Sequence, residues 1–535
     1  MKHIMSRRAI LAAGAILAVF VYFWGLGDYG FIDPDEGRYA EIPREMTEAS
    51  DYITPRLNYV LYFEKPPLHY WLTAGAFMIF GENEFAGRFF PVMAGLGCCV
   101  LAFVIAMKIT RSKYASALAG LMLASSVLWY GTSRINITDM TMTFLFTASM
   151  ASYYFWNVSG KKFHLLAFYS FMALSVLTKG LIGVVLPGGI ALIHLIITKD
   201  YRKIIPLFSP SAIILFFVIV TPYFVEVCRR NPDYFQFFFI REHFLRYTTT
   251  IHSRYEPFWF FIPIIIAGFI PWTGILWDSF AAVFGKCRLI GKSTGSFLGL
   301  WAGIPFAFFS ASGSKLITYI LPCFPPLMIL AGASMSVLEG KNLRRFVIIT
   351  SAVLIPVAVT GFVLPAVKDD PAFNAMKFPA MCLAVMLVIF WALSLLIGRV
   401  RNIPALLVIT GLSAMFAASG AFNVEGKLLS HKDSAMIIPG DADDVVVYAN
   451  LMQGMNFYTK RRTITAEDLN ELEFGAEHDS NRERWFIGND SLRELWRSGR
   501  KVVVISRHKD KGMREILESP VREWSTSADI VMANF

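Results

Sequence analysis

Charged residues are scarce in this 535-residue chain. Only 17% are Asp, Glu, Lys or Arg, against about 25% in an ordinary soluble domain. Nucleotide-cradling loops are missing: no GxGxxG follows a strand-like run and no GxxxxGK[ST] occurs, which argues against direct use of a nucleotide. Cysteine is rare as well. The six are Cys98, Cys99, Cys228, Cys287, Cys323 and Cys382, and none follows Cys382. None has the spacing of a zinc knuckle, and most lie within or at the ends of apolar runs. That excludes a disulfide framework and a zinc ribbon and leaves small apolar fillers. No small-residue cleavage site follows the apolar run 9–26, although Lys2, Arg7 and Arg8 precede it as in a signal peptide. The run reads as a retained first helix. Ionisable residues are also few in the middle of the apolar runs, where a transporter places its coupling site.

What is present is hydrophobic. Apolar residues make up 55% of the chain, concentrated in runs of about 17–21 residues, the length that crosses a bilayer as a helix. About thirteen such spans are expected, near 9–26, 91–108, 115–131, 139–157, 165–178, 181–198, 206–226, 258–278, 294–311, 317–336, 346–366, 379–397 and 403–421. The net charge of +10 does not signal nucleic acid. Its basic excess sits in alternate short loops, such as Lys108, Arg111 and Lys113, or Lys341, Arg344 and Arg345. With thirteen spans these loops share one face, the cytoplasmic one by the positive-inside rule. The expected fold is an all-α polytopic membrane domain over 1–421, followed by a mixed α/β domain over 422–535 outside the membrane. In that second region VVVYA (445–449) and KVVVISRH (501–508) read as buried strands, SLRELWRSG (491–499) as a helix, and YTKRR (458–462) as a solvated face.

The unusual polar chemistry falls on the opposite, outer face, in the loops 28–90, 229–257 and 312–316. The first carries DPDEGRYAEIPREM and YFEKPPLHYW. Asp35 and Glu36 suit a helix start, where carboxylates favour exposed N–H groups and the dipole. Their place beside a membrane helix, in the same loop as Lys65, also suits an active site. Pro66 and Pro67 stop any preceding helix and start another, which would fix Lys65 as a rigid cation for a lipid phosphate. Asp139, in RINITDMTM, stands at a span end on the same face. The second loop offers His243, Arg246, His252 and Arg254 among aromatics, and SKLITYILP offers Lys315 and Tyr319.

DPDEGRYAEIPREM, YFEKPPLHYW, TDMTM and SKLITYILP resemble the phospholipid-carrier-dependent glycosyltransferases of the GT-C membrane fold. The likeness is greatest to the lipid A aminoarabinose transferase family, with protein O-mannosyltransferases more distant. The resemblance implies an inner-membrane enzyme with its N-terminus in the cytoplasm and its site in the periplasm. It would move a sugar, 4-amino-4-deoxy-L-arabinose first among the candidates, from undecaprenyl phosphate to lipid A. It implies catalytic roles for Asp35, Asp139 and Glu36. Arg38, Tyr39, Tyr62, Lys65, Arg246, Arg254, Lys315 and Tyr319 would hold the carrier phosphate or the sugar. The family's divalent metal would map to Glu64 with either His243 or His252, and no nucleotide or redox cofactor is required. The DEGRY half of the first loop would then serve sugar or acceptor, and the YFEKPP half the carrier phosphate. The same fold acting on another sugar, a protein hydroxyl or a glycan remains open. A lipid-linked saccharide flippase and a purely structural membrane protein are the competing classes; the first needs ionisable mid-span residues and the second leaves the first loop unexplained.

Overall fold

The computed structural model describes residues 7–245, 256–367, 377–395, 403–508, 512–517 and 520–535. The first part of the chain is helical: α1 (Arg7–Phe23), α2 (Asp35–Ala49), α3 (Leu68–Phe80), α4 (Glu84–Thr110), α5 (Lys113–Ala124), α6 (Val127–Ser133), α7 (Thr138–Ser159), α8 (Lys162–Lys179), α9 (Ile182–Ile197), α10 (Ile204–Leu207) and α11 (Pro210–Arg230). Further helices cover Phe261–Gly268, Leu276–Val283, Lys292–Ala311, Phe324–Ser336, Gly340–Val367, Lys377–Leu395 and Ile403–Ala418. Among the described residues five helices are long and apolar enough to cross a membrane, or seven if two bent pairs each count as one crossing. Apolar side chains face outward along them, as Ile214, Phe217 and Val218 do on α11. Such a surface is stable against lipid tails and not against water.

The expected continuous spans at 115–131 and 258–278 are corrected to broken helices. α5 and α6 meet at 62°, and Phe261–Gly268 meets the following helix at 114°. Pro271 lacks a backbone donor and cannot continue a helix, while Ser125 turns its hydroxyl back onto the Leu121 carbonyl. The two breaks face each other. Val127 N donates to the Ile270 carbonyl at 2.9 Å, and the Trp272 indole donates to Ser125 Oγ at 3.0 Å. Each break therefore satisfies polar groups of the other, the condition for irregular backbone inside an apolar bundle.

α7 and α8 form a helical hairpin through Gly160 (φ 68°), a left-handed position that glycine fills without strain. The hairpin brings the N-terminus of α7 to the C-terminus of α8. In the first loop, α2 leads through a small hairpin of β1 (Arg56–Leu57) and β2 (Val60–Leu61) to α3. Asn58 and Tyr59, both at positive φ, make the two-residue turn. α3 begins directly after Pro67.

Residues 444–533 form a six-stranded sheet of β3 (Asp444–Tyr448), β4 (Ile464–Ala466), β5 (Phe486–Ile487), β6 (Val502–Arg507), β7 (Arg522–Ser525) and β8 (Asp529–Ala533). The order is β5-β4-β3-β6-β8-β7, parallel up to β6 and antiparallel beyond. β3 and β6 lie at the centre as continuous buried runs. The helix Asn489–Arg497 buries Leu492 and Trp496.

This sheet region is packed onto the first loop. Asp33 accepts from Gly454 N at 3.0 and 3.1 Å. His431 lies 3.2 Å from Asp33 and 2.8 Å from Asp529. The Asn58 amide donates to the Thr463 carbonyl at 3.1 Å. The expectation of a solvated face at 458–462 is corrected. Tyr458 accepts from Phe31 N at 2.7 Å, Lys460 pairs with Glu82, and Arg462 pairs with Asp479. The run is spent on anchoring the sheet region and its edge.

Candidate functional site

Six segments converge on one cleft of about 230 Å³, lined by Asp35, Arg38, Tyr39, Glu64, Lys65, Ile137, Thr138, Asp139, Lys179, Leu316, Ile317, Thr318, Tyr319 and Glu471. Each arrives for a local reason. Asp35 occupies the first turn of α2, where a carboxylate suits the positive end of the helix, and its side chain remains 54% exposed. Arg38 lies one turn on, the spacing at which side chains meet along a helix. Lys65 is fixed by the Pro-Pro entry to α3. Asp139 starts α7 and Lys179 ends α8, so each helix dipole favours the charge placed on it. The hairpin brings these two charges to 2.6 Å.

The Arg38 guanidinium is the centre of the arrangement. It pairs with Asp35 and with Glu471, donates to the Tyr62 hydroxyl at 2.7 Å, and lies 3.9 Å from Glu64. Burial works against its charge, but Tyr62, Glu471, Tyr39 and Asp35 more than offset that and hold it protonated. Lys65 lies 3.7 Å from Glu64. Lys179 also stands over the Tyr319 ring, 4.6 Å from its centre, a favourable cation–π placement. Burial, together with the nearby Asp35, Asp139 and Glu64 carboxylates, pushes the Tyr39 phenol up, so it remains a proton-bearing donor.

Of the residues singled out in the sequence, Asp35, Arg38, Tyr39, Glu64, Lys65, Asp139 and Tyr319 share the cleft. Three do not. Glu36 is fully buried and faces away. Its carboxylate accepts from Arg88 at 2.8 and 2.7 Å, from Asn136 N at 2.7 Å and from Ile32 N at 2.9 Å. Its acceptor sites are taken, so a catalytic role for Glu36 is corrected to that of a clamp between α2, α4 and the entry to α7. Tyr62 is buried behind the cleft, where it accepts from Arg38 and donates to Glu471 at 3.2 Å; it positions those two groups and does not face a phosphate. Lys315 turns away to the carbonyls of Glu256 and Ser312, both at 2.7 Å. Arg246, His252 and Arg254 lie outside the described residues, and His243 is described only by the helical backbone of Gln236–Leu245.

The two proposed halves of the first loop are one subsite, because Arg38 of the first touches Tyr62 and Glu64 of the second. The metal expected at Glu64 would take His243 or His252 as its partner, and both of those side chains lie outside the described residues. Glu64 has two cations for neighbours, and among the described residues no three His, Cys, Asp or Glu side chains converge.

Two charged cleft residues escaped the sequence reading. Lys179 stood in the Thr178-Lys179-Gly180 separator of two apolar runs. Its signal was an isolated cation on the outer face. Glu471 sits in the acidic run EDLNELE and carried no signal at all, since only the docking of the sheet region brings it to Arg38.

Comparison with known proteins places the chain in a family. The family described as dolichyl-phosphate-mannose-protein mannosyltransferase matches residues 16–238, and the aminoarabinose transferase C-terminal domain matches residues 436–526. Undecaprenyl phosphate-alpha-4-amino-4-deoxy-L-arabinose arabinosyl transferase 1 of Proteus mirabilis is 34% identical over 350 residues, 65% of this chain and 63% of the relative. The corresponding protein of Serratia proteamaculans is 30% identical over 415 residues, 75% and 73% of the two chains. That of Aeromonas salmonicida is 29% identical over 514 residues, 89% and 90%. The match spans 60–63% of the length of the Proteus relative and of its counterparts in Edwardsiella ictaluri and Pseudomonas fluorescens. The crystal structure of ArnT from Cupriavidus metallidurans bound to undecaprenyl phosphate superposes with a TM-score of 0.88 at 27% identity, covering 99% of both chains. The archaeal oligosaccharyltransferase AglB shares the fold alone, with a TM-score of 0.50 and 13% identity. With 30% identity to the Serratia protein over 75% of the chain, and a superposition on the Cupriavidus structure that covers both chains almost completely, the chain belongs to the family of undecaprenyl phosphate-4-amino-4-deoxy-L-arabinose arabinosyl transferases.

Proposed function

We propose that this protein transfers 4-amino-4-deoxy-L-arabinose from undecaprenyl phosphate to a lipid A phosphate, inverting the anomeric centre, at the periplasmic face of the inner membrane. The observation that carries the reading is the cleft itself: Arg38, Lys65 and Lys179 interleaved with Asp35, Glu64, Asp139 and Glu471. On this reading the N-terminus is cytoplasmic, about thirteen spans cross the bilayer within 1–421, and residues 422–535 form an α/β domain on the periplasmic side.

The chemistry follows from the charge that must be stabilised. As the C1–O bond of the donor breaks, negative charge builds on the leaving polyprenyl phosphate. Lys65, Lys179 and the phenols Tyr39 and Tyr319 are placed to receive it, in a site sheltered from water where each such contact counts for more. An ionised lipid A phosphate oxygen attacks C1 from the opposite face and needs no base. Asp35, the most exposed carboxylate of the cleft, orients the incoming group. Asp139 holds Lys179. Every step draws on side chains of this chain alone.

A second reading is favoured by the match of residues 16–238 to protein mannosyltransferases. A hydroxyl acceptor would make Asp35 its general base. The match of residues 436–526 to an aminoarabinose transferase domain favours the first reading. Mass spectrometry of lipid A and surface glycans from cells with and without the protein separates the two. An aminoarabinose mass increment on lipid A is expected only in cells that have it, and identical lipid A profiles refute the assignment.

A further inference from the structure

Among the described lining residues of the cleft, Glu471 alone comes from the sheet region. Its position is well defined. Leu472 is fully buried in a cluster with Tyr39, Tyr62 and Ile137. Phe474 packs on Phe237, with ring centres 4.6 Å apart, and on Phe63 at 5.7 Å. The preceding turn holds two non-glycine residues in the left-handed region, Glu467 (φ 72°) and Asn470 (φ 41°). Such conformations cost free energy and persist only where the surroundings enforce them.

The hydrogen bonds of Glu471 are lopsided. Oε2 accepts from Arg38, from Tyr62 at 3.2 Å and from the Gln453 amide at 2.8 Å. Oε1 accepts no hydrogen bond among the described residues. The carboxylate is gripped by one oxygen and offers the other to the cleft.

The charge balance says what the second oxygen would meet. Among the described lining residues, four carboxylates stand against three cations. Lys65 answers Glu64 and Lys179 answers Asp139, which leaves Arg38 shared between Asp35 and Glu471. Among the described lining residues the carboxylates thus outnumber the cations by one. A phosphodiester with a neutral sugar would add a further negative charge. A phosphodiester whose sugar bears an ammonium is a zwitterion and brings a cation for the open Glu471 oxygen.

We infer that Glu471 is a specificity residue that binds the ammonium of the transferred sugar through Oε1 and so selects an amino sugar over a neutral one. The inference rests on the proposed transfer of aminoarabinose and adds the group that reads the amine. It also gives the sheet region a share in the site: Glu471 is set by Leu472 and Phe474 on the region's face toward the first loop, so selection and docking go together.

The test compares two donors with the purified full-length protein in detergent. One is undecaprenyl phosphate-linked 4-amino-4-deoxy-L-arabinose, and the other is the same lipid with its amine formylated and uncharged. The quantity read is the ratio of kcat/KM for the amino donor to that for the formamido donor. Wild-type protein is expected to favour the amino donor. Glu471→Gln keeps the size and the grip on Arg38 but loses the charge, and should lower the ratio about tenfold to a hundredfold, the worth of a charge-assisted hydrogen bond. A role confined to holding Arg38 would depress both donors alike and leave the ratio unchanged, and that result overturns the inference. Should Glu471→Gln fail to fold, Glu471→Asp withdraws the carboxylate by one methylene; its ratio should fall severalfold, and a wild-type ratio here also overturns the inference. Wild-type protein inactive with both donors refutes the functional reading itself.

Discussion

Asp35 and Glu36 are neighbours in sequence and opposites in environment, so neutralising each in turn separates chemistry from architecture. Glu36 is fully buried against an equally buried Arg88, 2.7 Å away. Arg88 donates its remaining hydrogens to the carbonyls of Leu26, Tyr29 and Gly30, while Glu36 also receives two backbone N–H groups. Removing one partner of a buried pair leaves the other charge stranded, typically at a cost of about 3–5 kcal/mol. Glu36→Gln keeps the shape, but its amide nitrogen must face donors where a carboxylate oxygen accepted. The variant should lose about 3 kcal/mol or more of stability, seen as a lower melting temperature in detergent and a smaller monodisperse fraction. Asp35→Asn changes a side chain 54% exposed. Its ion pair with Arg38 is worth about 1 kcal/mol at most after solvent screening, so melting should barely move while sugar transfer is lost. The decisive measurement is melting temperature and transfer rate on the same preparations. A Glu36→Gln protein that melts like wild type yet has lost transfer would refute the clamp and restore Glu36 to the chemistry. An Asp35→Asn protein with full activity would remove Asp35 from it.

Lys65→Met and Lys179→Met should each raise the donor KM about tenfold or more by removing a charge-assisted contact to phosphate; an unchanged KM in steady-state transfer assays would exclude the side chain from the phosphate subsite. His431 supplies a pH dependence. Burial disfavours its charge, but hydrogen bonds and charge from Asp33 and Asp529 outweigh that and push it up to about 9. With a folded value above the ordinary His value of about 6.5, its contribution of about 3 kcal/mol is complete below pH 6.5 and is lost as pH rises through 9. Melting curves from pH 6 to 10 should show wild type converging on His431→Gln at the alkaline end, and a constant gap would disprove the paired imidazolium. Gly37→Ala should loosen the junction of first loop and sheet region, because a Cβ there would fall 1.9 Å from Asp33 Oδ1 and 2.4 Å from Gly454 N. Limited proteolysis between residues 430 and 460 should quicken, and wild-type resistance would show that the junction tolerates the methyl group.

The sequence alone determined that the first part of the chain is rich in apolar helices, and it singled out the polar motifs of the first loop that line the cleft. Those properties are local. Apolar runs, the Pro66-Pro67 helix start and the charges at the ends of 139–157 and 165–178 follow from residue type and spacing. Tertiary structure decided which way each charge points. Glu36 and Asp35 look interchangeable in DPDEGRY until Arg88, a residue of the α4 span, claims one of them. Lys315 and Tyr62 fit a phosphate site by type, yet packing turns one to backbone carbonyls and the other to Arg38. Gly37 has no explanation along the chain and a plain one in space, since α2 and the Gly454 turn approach too closely for a side chain. Glu471 marks the limit most clearly. It lies 433 residues from Arg38 in the chain, and no periodicity or motif reports a contact over that distance. Hydropathy and local spacing encode single elements, whereas the pairing of charges between elements depends on how they pack.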